Sequence, residues 1–134
     1  MRKTHAALMA IGLAATAGLA GMESASAQPT AFSCPSKNVC FYTGTSGSGQ
    51  RCAWNVSDND WLRGDVKCSW ASPLPVVRSM YISAGAAGSV TYYAAINHVN
   101  PIGCMNGRPT GTGGTFVEPI SILSHRLSSA SCST

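Results

Sequence analysis

Short apolar or alternating runs recur from residue 38 onward: "NVCFYT", "QRCAWNV", "PVVRSMYIS", "SVTYYAAI" and "TFVEPISIL". Each has the length of a strand and is rich in β-branched or aromatic side chains. Between them stand "GTSGSG", "SAGAAG" and "RPTGTGG", stretches whose Gly, Ser and Pro content suits turns. Nowhere in this part do apolar residues repeat at three-four spacing for three helical turns. The pattern therefore predicts an all-β domain, a sandwich or a small barrel.

Residues 1–27, "MRKTHAALMAIGLAATAGLAGMESASA", obey a different rule. Arg2 and Lys3 precede an apolar run from Ala6 to Gly21, and Ala25-Ser26-Ala27 forms a small-x-small site. The run is broken by Gly and Thr and is short for a bilayer span. A signal peptide cleaved before Gln28 is expected, with a secreted, extracellular single domain over 28–134.

Taking Arg2, Lys3 and Glu23 from the nine Lys/Arg and five Asp/Glu of the chain leaves seven and four. The remaining cations, from Lys37 to Arg126, stand singly, without the basic stripe and interleaved aromatics of a nucleic-acid reader. No nucleic-acid partner and no membrane span are expected.

All six cysteines, Cys34, Cys40, Cys52, Cys68, Cys104 and Cys132, follow the leader. An even number in a short exported chain reads as a disulfide framework. Zinc is the rival, but no C-x-x-C occurs and His98 and His125 lie far apart in sequence. Six cysteines allow fifteen pairings, and spacing alone does not choose among them. The preferred set is Cys34–Cys40, Cys52–Cys68 and Cys104–Cys132, which keeps each bridge within one half of the chain.

An internal echo divides the domain. "VCFYTGTSGSGQRC" (39–52) and "VTYYAAINHVNPIGC" (90–104) both run Val, one residue, aromatic, Tyr, a loop, then Cys. Each is followed by a Val/Ile-rich run with Ser and Arg, "VVRSMY" at 76–81 and "ILSHRL" at 122–127. Two related units, about 34–83 and 84–134, are expected, each four-stranded and stacked into one sandwich.

"SCPSKNVCFYTGTSGSG" resembles the opening signature of the secreted actinobacterial peptidase inhibitors typified by the Streptomyces metalloproteinase inhibitor. Cys34, Pro35, Cys40, Tyr42, Gly44, Thr45, Ser48 and Gly49 carry the likeness, which continues more loosely through "VVRSMYISAGAAGSVTYY" to Cys104. The resemblance implies a βγ-crystallin-like Greek-key sandwich stapled by disulfides. In it the Cys34–Cys40 loop would tie the incoming chain to the first strand, and "GTSGSG" would be a folded-over hairpin. Crystallin units place a second aromatic five residues after the first, but here that place is Gly47, so the corner must be packed differently.

The same resemblance implies an inhibitor and not an enzyme, without catalytic residues, metal or cofactor of its own. Its partner would be an extracellular protease, a thermolysin-type zinc metalloendopeptidase, bound like a substrate by a monomer. The reactive segment of such proteins is a disulfide-anchored loop in the second half. The matching stretch is "HVNPIGCMNGRP" (98–109), with Ile102, Gly103, Cys104, Met105 and Arg108 as candidate contacts and Cys104–Met105 as the candidate bond. The second, closely spaced cysteine of the family loop is absent. Two other readings stand beside this one: a crystallin-fold antimicrobial or toxin-like protein acting on cell envelopes, and a structural extracellular module.

Other chemistry is weaker. "SDNDW" offers Asp58, Asn59 and Asp60 as oxygen ligands for calcium, but the Trp61-Leu62-Arg63-Gly64 that follows breaks the crystallin calcium pattern, so a solvated turn is expected. His98 or His125 could join a hydrolase triad, yet no nucleophile signature accompanies them. Asn55-Val56-Ser57 is a formal glycosylation sequon. Trp54, Trp61 and Trp70 read as core or anchor residues before a sugar platform.

Overall fold

The computed structural model describes residues 32–73 and 76–134. The expected signal segment 1–27 lies outside the described residues. Among these, seven strands form: β1 Val39–Tyr42, β2 Arg51–Trp54, β3 Val76–Ile82, β4 Ser89–Tyr93, β5 Pro101–Asn106, β6 Thr112–Ser121 and β7 Ser124–Ser128. No described helix is longer than a 3-10 turn, and none is long and apolar enough to cross a membrane.

The strands build two antiparallel sheets with orders β2-β1-β3-β6 and β5-β4-β7. The halves are interleaved. β6 follows β5 in the chain but pairs with β3 in the other sheet, while Asp58, beyond β2, bridges to His125 of β7. The sheets have four and three strands, where four in each were expected; the first takes β6 from the second half of the chain, and the second, built wholly from β4, β5 and β7, meets the first half at the Asp58 bridge. Exchange of a segment in both directions lets the apolar faces close on one another.

Between the sheets lie Phe41, Trp54, Trp61, Val77, Met80, Val90 and Ile122, all buried. β1 is buried at every position, although strict alternation would leave two of its side chains in water. The segment before it supplies the cover. Cys34 is bridged to Cys40, the Tyr42 hydroxyl donates to the Ser33 carbonyl at 2.9 Å, and Phe32 stacks on Tyr81 at 5.1 Å between ring centroids. A continuous apolar run is what a strand covered on both faces requires.

Phe32 also resolves the missing aromatic at the hairpin corner. Gly47 has a φ of +77°, and a Cβ there would stand 2.7 Å from Phe32 Cα. Only glycine meets both the backbone angle and the close approach, so the corner is filled from the N-terminal segment instead of from within the hairpin.

Two buried serines hold the folded-over turns Thr45–Gly47 and Ile96–His98 in the same way. Ser79 Oγ donates to the Gly44 carbonyl at 2.6 Å and accepts the Gly47 N–H at 2.9 Å. Ser124 Oγ donates to the Ala95 carbonyl at 2.6 Å and accepts the His98 N–H at 3.1 Å. In each turn the central residue, Ser46 or Asn97, has positive φ, and the buried hydroxyl satisfies two backbone groups that the turn takes out of the ladder.

The remaining bridges are Cys52–Cys68 and Cys104–Cys132. The first ties β2 to the loop before β3. The second ties β5 to the C-terminal tail, whose Cys132 N–H also donates to Asn106 Oδ1 at 2.7 Å.

Candidate functional site

The stretch 98–109 is not one loop. It comprises the end of a 3-10 turn, strand β5 and the turn that follows, so the anchored loop implied by the family likeness is here mostly an edge strand. β5 lies outermost in its sheet, bonded to β4 on one side only. The reason is legible in the pairing: Thr91 stands opposite Cys104, Val90 opposite Met105 and Tyr92 opposite Gly103. Gly103 is required there because a Cβ would run into the Tyr92 ring.

Alternation along β5 separates the candidate contacts. Cys104 points outward to its bridge with Cys132, and Thr91 Oγ1 donates to its Sγ at 3.5 Å. Met105 points inward, is half-buried and packs on the core cluster. It is therefore unavailable as a freely presented side chain. Ile102 is exposed. Arg108 is exposed too, in a turn closed by the Gly111 N–H donating to its carbonyl at 2.9 Å. It lines an open cleft of about 680 Å³ with Val56, Ala86, Pro109 and Leu127.

The other polar candidates are internal fittings. Asp58 Oδ2 accepts from Trp54 Nε1 at 2.7 Å and Oδ1 from the Asp60 N–H at 2.8 Å. Asp60 Oδ1 in turn accepts the Leu62 N–H at 3.0 Å. These oxygens close a turn and hold an indole, so "SDNDW" is a structural corner. Trp54 and Trp61 are buried, and Trp70 meets Trp61 edge-on at 6.2 Å, so the three tryptophans serve the core.

His125 is wholly buried beside Phe41, Trp54 and Trp61. Its Nδ1 accepts from Trp61 Nε1 at 2.9 Å, and its Nε2 lies 3.1 Å from the Val56 carbonyl. Because an indole can only donate, Nδ1 carries no proton and Nε2 donates. No serine or carboxylate completes a relay among these partners. His98 is used similarly: its Nε2 lies 3.0 Å from the His125 carbonyl and its Nδ1 is 3.3 Å from an Arg126 nitrogen.

Burial pushes the His125 imidazole down to about 4 from 6.5, with nearby His98 acting in the same direction and the Val56 carbonyl opposing. The unfolded chain thus takes up a proton near pH 6.5 while the folded chain resists until about pH 4. Stability should be full above pH 6.5, fall through that window on acidification, and flatten below it. The gap amounts to about 3 kcal/mol. Urea midpoints at pH 7, 5.5 and 4 check this; a midpoint constant across the window would contradict it.

The whole is a small disulfide-stapled β-sandwich in which Asp58, Ser79, Ser124 and His125 are occupied in structural roles, while Trp70 Nε1 is buried without a hydrogen-bond partner. The sequence model of peptidase inhibitor family I36 matches residues 27–105, and the chain belongs to that family. It is therefore an inhibitor-family protein and not an enzyme, and its partner is a protease. Neither the curated proteins nor the solved structures give a match.

Proposed function

We propose that the chain is a secreted inhibitor of a thermolysin-type zinc metalloendopeptidase, held in the cleft like a substrate. The catalytic metal belongs to the enzyme. In this reading residues 1–27 are the signal peptide, and 28–134 act as a monomeric βγ-crystallin-like domain of two related units, about 34–83 and 84–134. The matched hydroxyl bridges of Ser79 and Ser124 support that kinship.

The observation that carries the reading is the free edge of β5. It combines an exposed Ile102, 45 % accessible, with a disulfide at Cys104 that holds the strand in place. An extended chain can add its backbone to a strand in the partner's cleft, with main-chain hydrogen bonds giving affinity and alternate side chains specificity. A strand already fixed in its bound shape loses little conformational freedom on binding. Inhibition is then made by the edge from Ile102 through Cys104 and by Arg108 beyond it, with Met105 supporting from within.

Titration of the oxidised protein against a thermolysin-type enzyme tests this. Stoichiometric loss of peptidase activity is expected. Ile102→Asp, at an exposed position, should weaken it on the order of tenfold or more, the scale of a residue worth over 1 kcal/mol at an interface. Inhibition of serine but not metallopeptidases would replace the target class, and no inhibition of either would end the reading.

A further inference from the structure

Val117 of β6 is 99 % exposed, the highest figure among the exposed large apolar side chains of the described residues. Its position follows from the register. On β3, Val77 stands opposite Ile120 and Ser79 opposite Thr115. One residue, Arg78, thus lies between paired positions on β3, whereas four, Phe116 to Pro119, lie between them on β6. Surplus residues on one strand bow it away from its neighbour.

The bowed segment is held at both ends. Thr115 Oγ1 accepts the Ser46 N–H at 2.9 Å, and Ile120 and Ser121 are paired with Val77 and Val76. Phe116 turns inward and meets Tyr92 of the other sheet edge-on, at 5.5 Å between centroids. Pro119 fixes its own φ and contributes no N–H. What remains is a short convex segment with one apolar side chain at its tip, Glu118 and Pro119 following. Little freedom is left to lose on docking.

The segment and β5 lie at the same edge of the sandwich. A Cβ on Gly114, just before the bow, would be 3.4 Å from Met105 Cε, and Tyr92, which carries Phe116, also covers Gly103. Of the apolar side chains at this edge, Met105 is packed inward, Ile102 is about half exposed, and Val117 is almost wholly free. The family match ends at residue 105 and assigns nothing to this segment.

The geometry points to Val117 as the residue that fills the primary apolar pocket of the target peptidase, next to the β5 edge that lies in the cleft. This rests on the inhibitor reading above. The test is inhibition of a thermolysin-type enzyme by the full oxidised protein carrying Val117→Asp, with Ile102→Asp and Leu62→Ser in parallel. Val117→Asp should raise the inhibition constant roughly 30-fold or more, the range of a central interface residue. Its melting temperature should match the parent's, because the side chain is almost wholly in water. Leu62→Ser, exposed elsewhere, should inhibit like the parent.

A parent that inhibits and a Val117→Asp variant that inhibits equally well would overturn the assignment while leaving the inhibitor reading intact. The same result accompanied by conversion of a dimer to a monomer, seen by native mass spectrometry, would overturn it in favour of self-association. A parent that inhibits no peptidase would instead fail the underlying reading, and the assignment with it.

Discussion

Trp61→Ala should cost about 4 kcal/mol or more, the upper range for removing a buried aromatic side chain. Trp61 is fully buried, stacked on Trp54 at 4.6 Å and tilted against Phe41 at 4.8 Å. The cavity would open at the centre of the only large aromatic cluster among the described residues. A second loss accompanies it. The Trp61 indole is the donor to His125 Nδ1, and the truncation leaves that nitrogen buried without a partner, a penalty of about 1–3 kcal/mol by itself. Domains of this kind have about 5–15 kcal/mol in total, so the variant should be largely unfolded or melt tens of degrees lower. Trp61→Phe separates the two losses: it refills much of the volume but not the hydrogen bond. Guanidinium denaturation of both, followed by far-ultraviolet circular dichroism, measures the difference. A Trp61→Ala midpoint close to the parent's would show that the cluster can collapse around the gap.

Removing the Cys104–Cys132 bridge by Cys104→Ala with Cys132→Ala should cost about 3.5 kcal/mol in the chain-entropy model, the largest figure of the three. The bridges span separations of 28, 16 and 6 residues for Cys104–Cys132, Cys52–Cys68 and Cys34–Cys40. The corresponding values fall to about 3 and about 2 kcal/mol as loop length shortens. The longest bridge has a further effect that entropy does not describe. Its tail is held against β5 by the disulfide and by the bond from Cys132 N–H to Asn106 Oδ1. Releasing it frees the strand edge on which inhibition is proposed to depend. Inhibition should therefore weaken more than for the other two double substitutions when all are compared at a temperature where each is folded. Denaturation midpoints in the order 34–40, 52–68, 104–132, from least to most affected, are the expected result. Equal midpoints would mean that the unfolded chains retain structure that masks loop length.

The runs of Val, Ile and aromatic residues make β1 to β4 visible in the sequence, because most of the side chains those strands bury are themselves apolar. β5 was hidden. Its inward position Gly103 has no side chain to contribute to the pattern, and the space is filled by Tyr92 from the neighbouring strand. In β7 the first two residues, Ser124 and His125, are buried polar groups whose partners come from segments remote in the chain. A reading of hydropathy alone assigns them to the surface.

The bowed segment of β6 shows the reverse. "TFVEPISIL" reads as a strand with apolar residues to bury, and Pro119 inside the run is the one mark that its pairing is interrupted. The candidate contacts divide along the same line: Cys104 and Met105 are adjacent in sequence, yet alternation sends one outward and the other into the core.

Composition and order of residues were sufficient for an all-β class with a turn after the first strand and for the likeness to an inhibitor family, and it was that likeness that implied the folded-over form of the turn. These depend on local preference and on neighbours within a few positions. Which strands became edges, which sheet received β6, what covered Gly47, and which apolar side chain was left in water depended on contacts between residues tens of positions apart. Such contacts are chosen by the joint burial of two sheets and the satisfaction of buried backbone groups, and no stretch of the chain carries them alone.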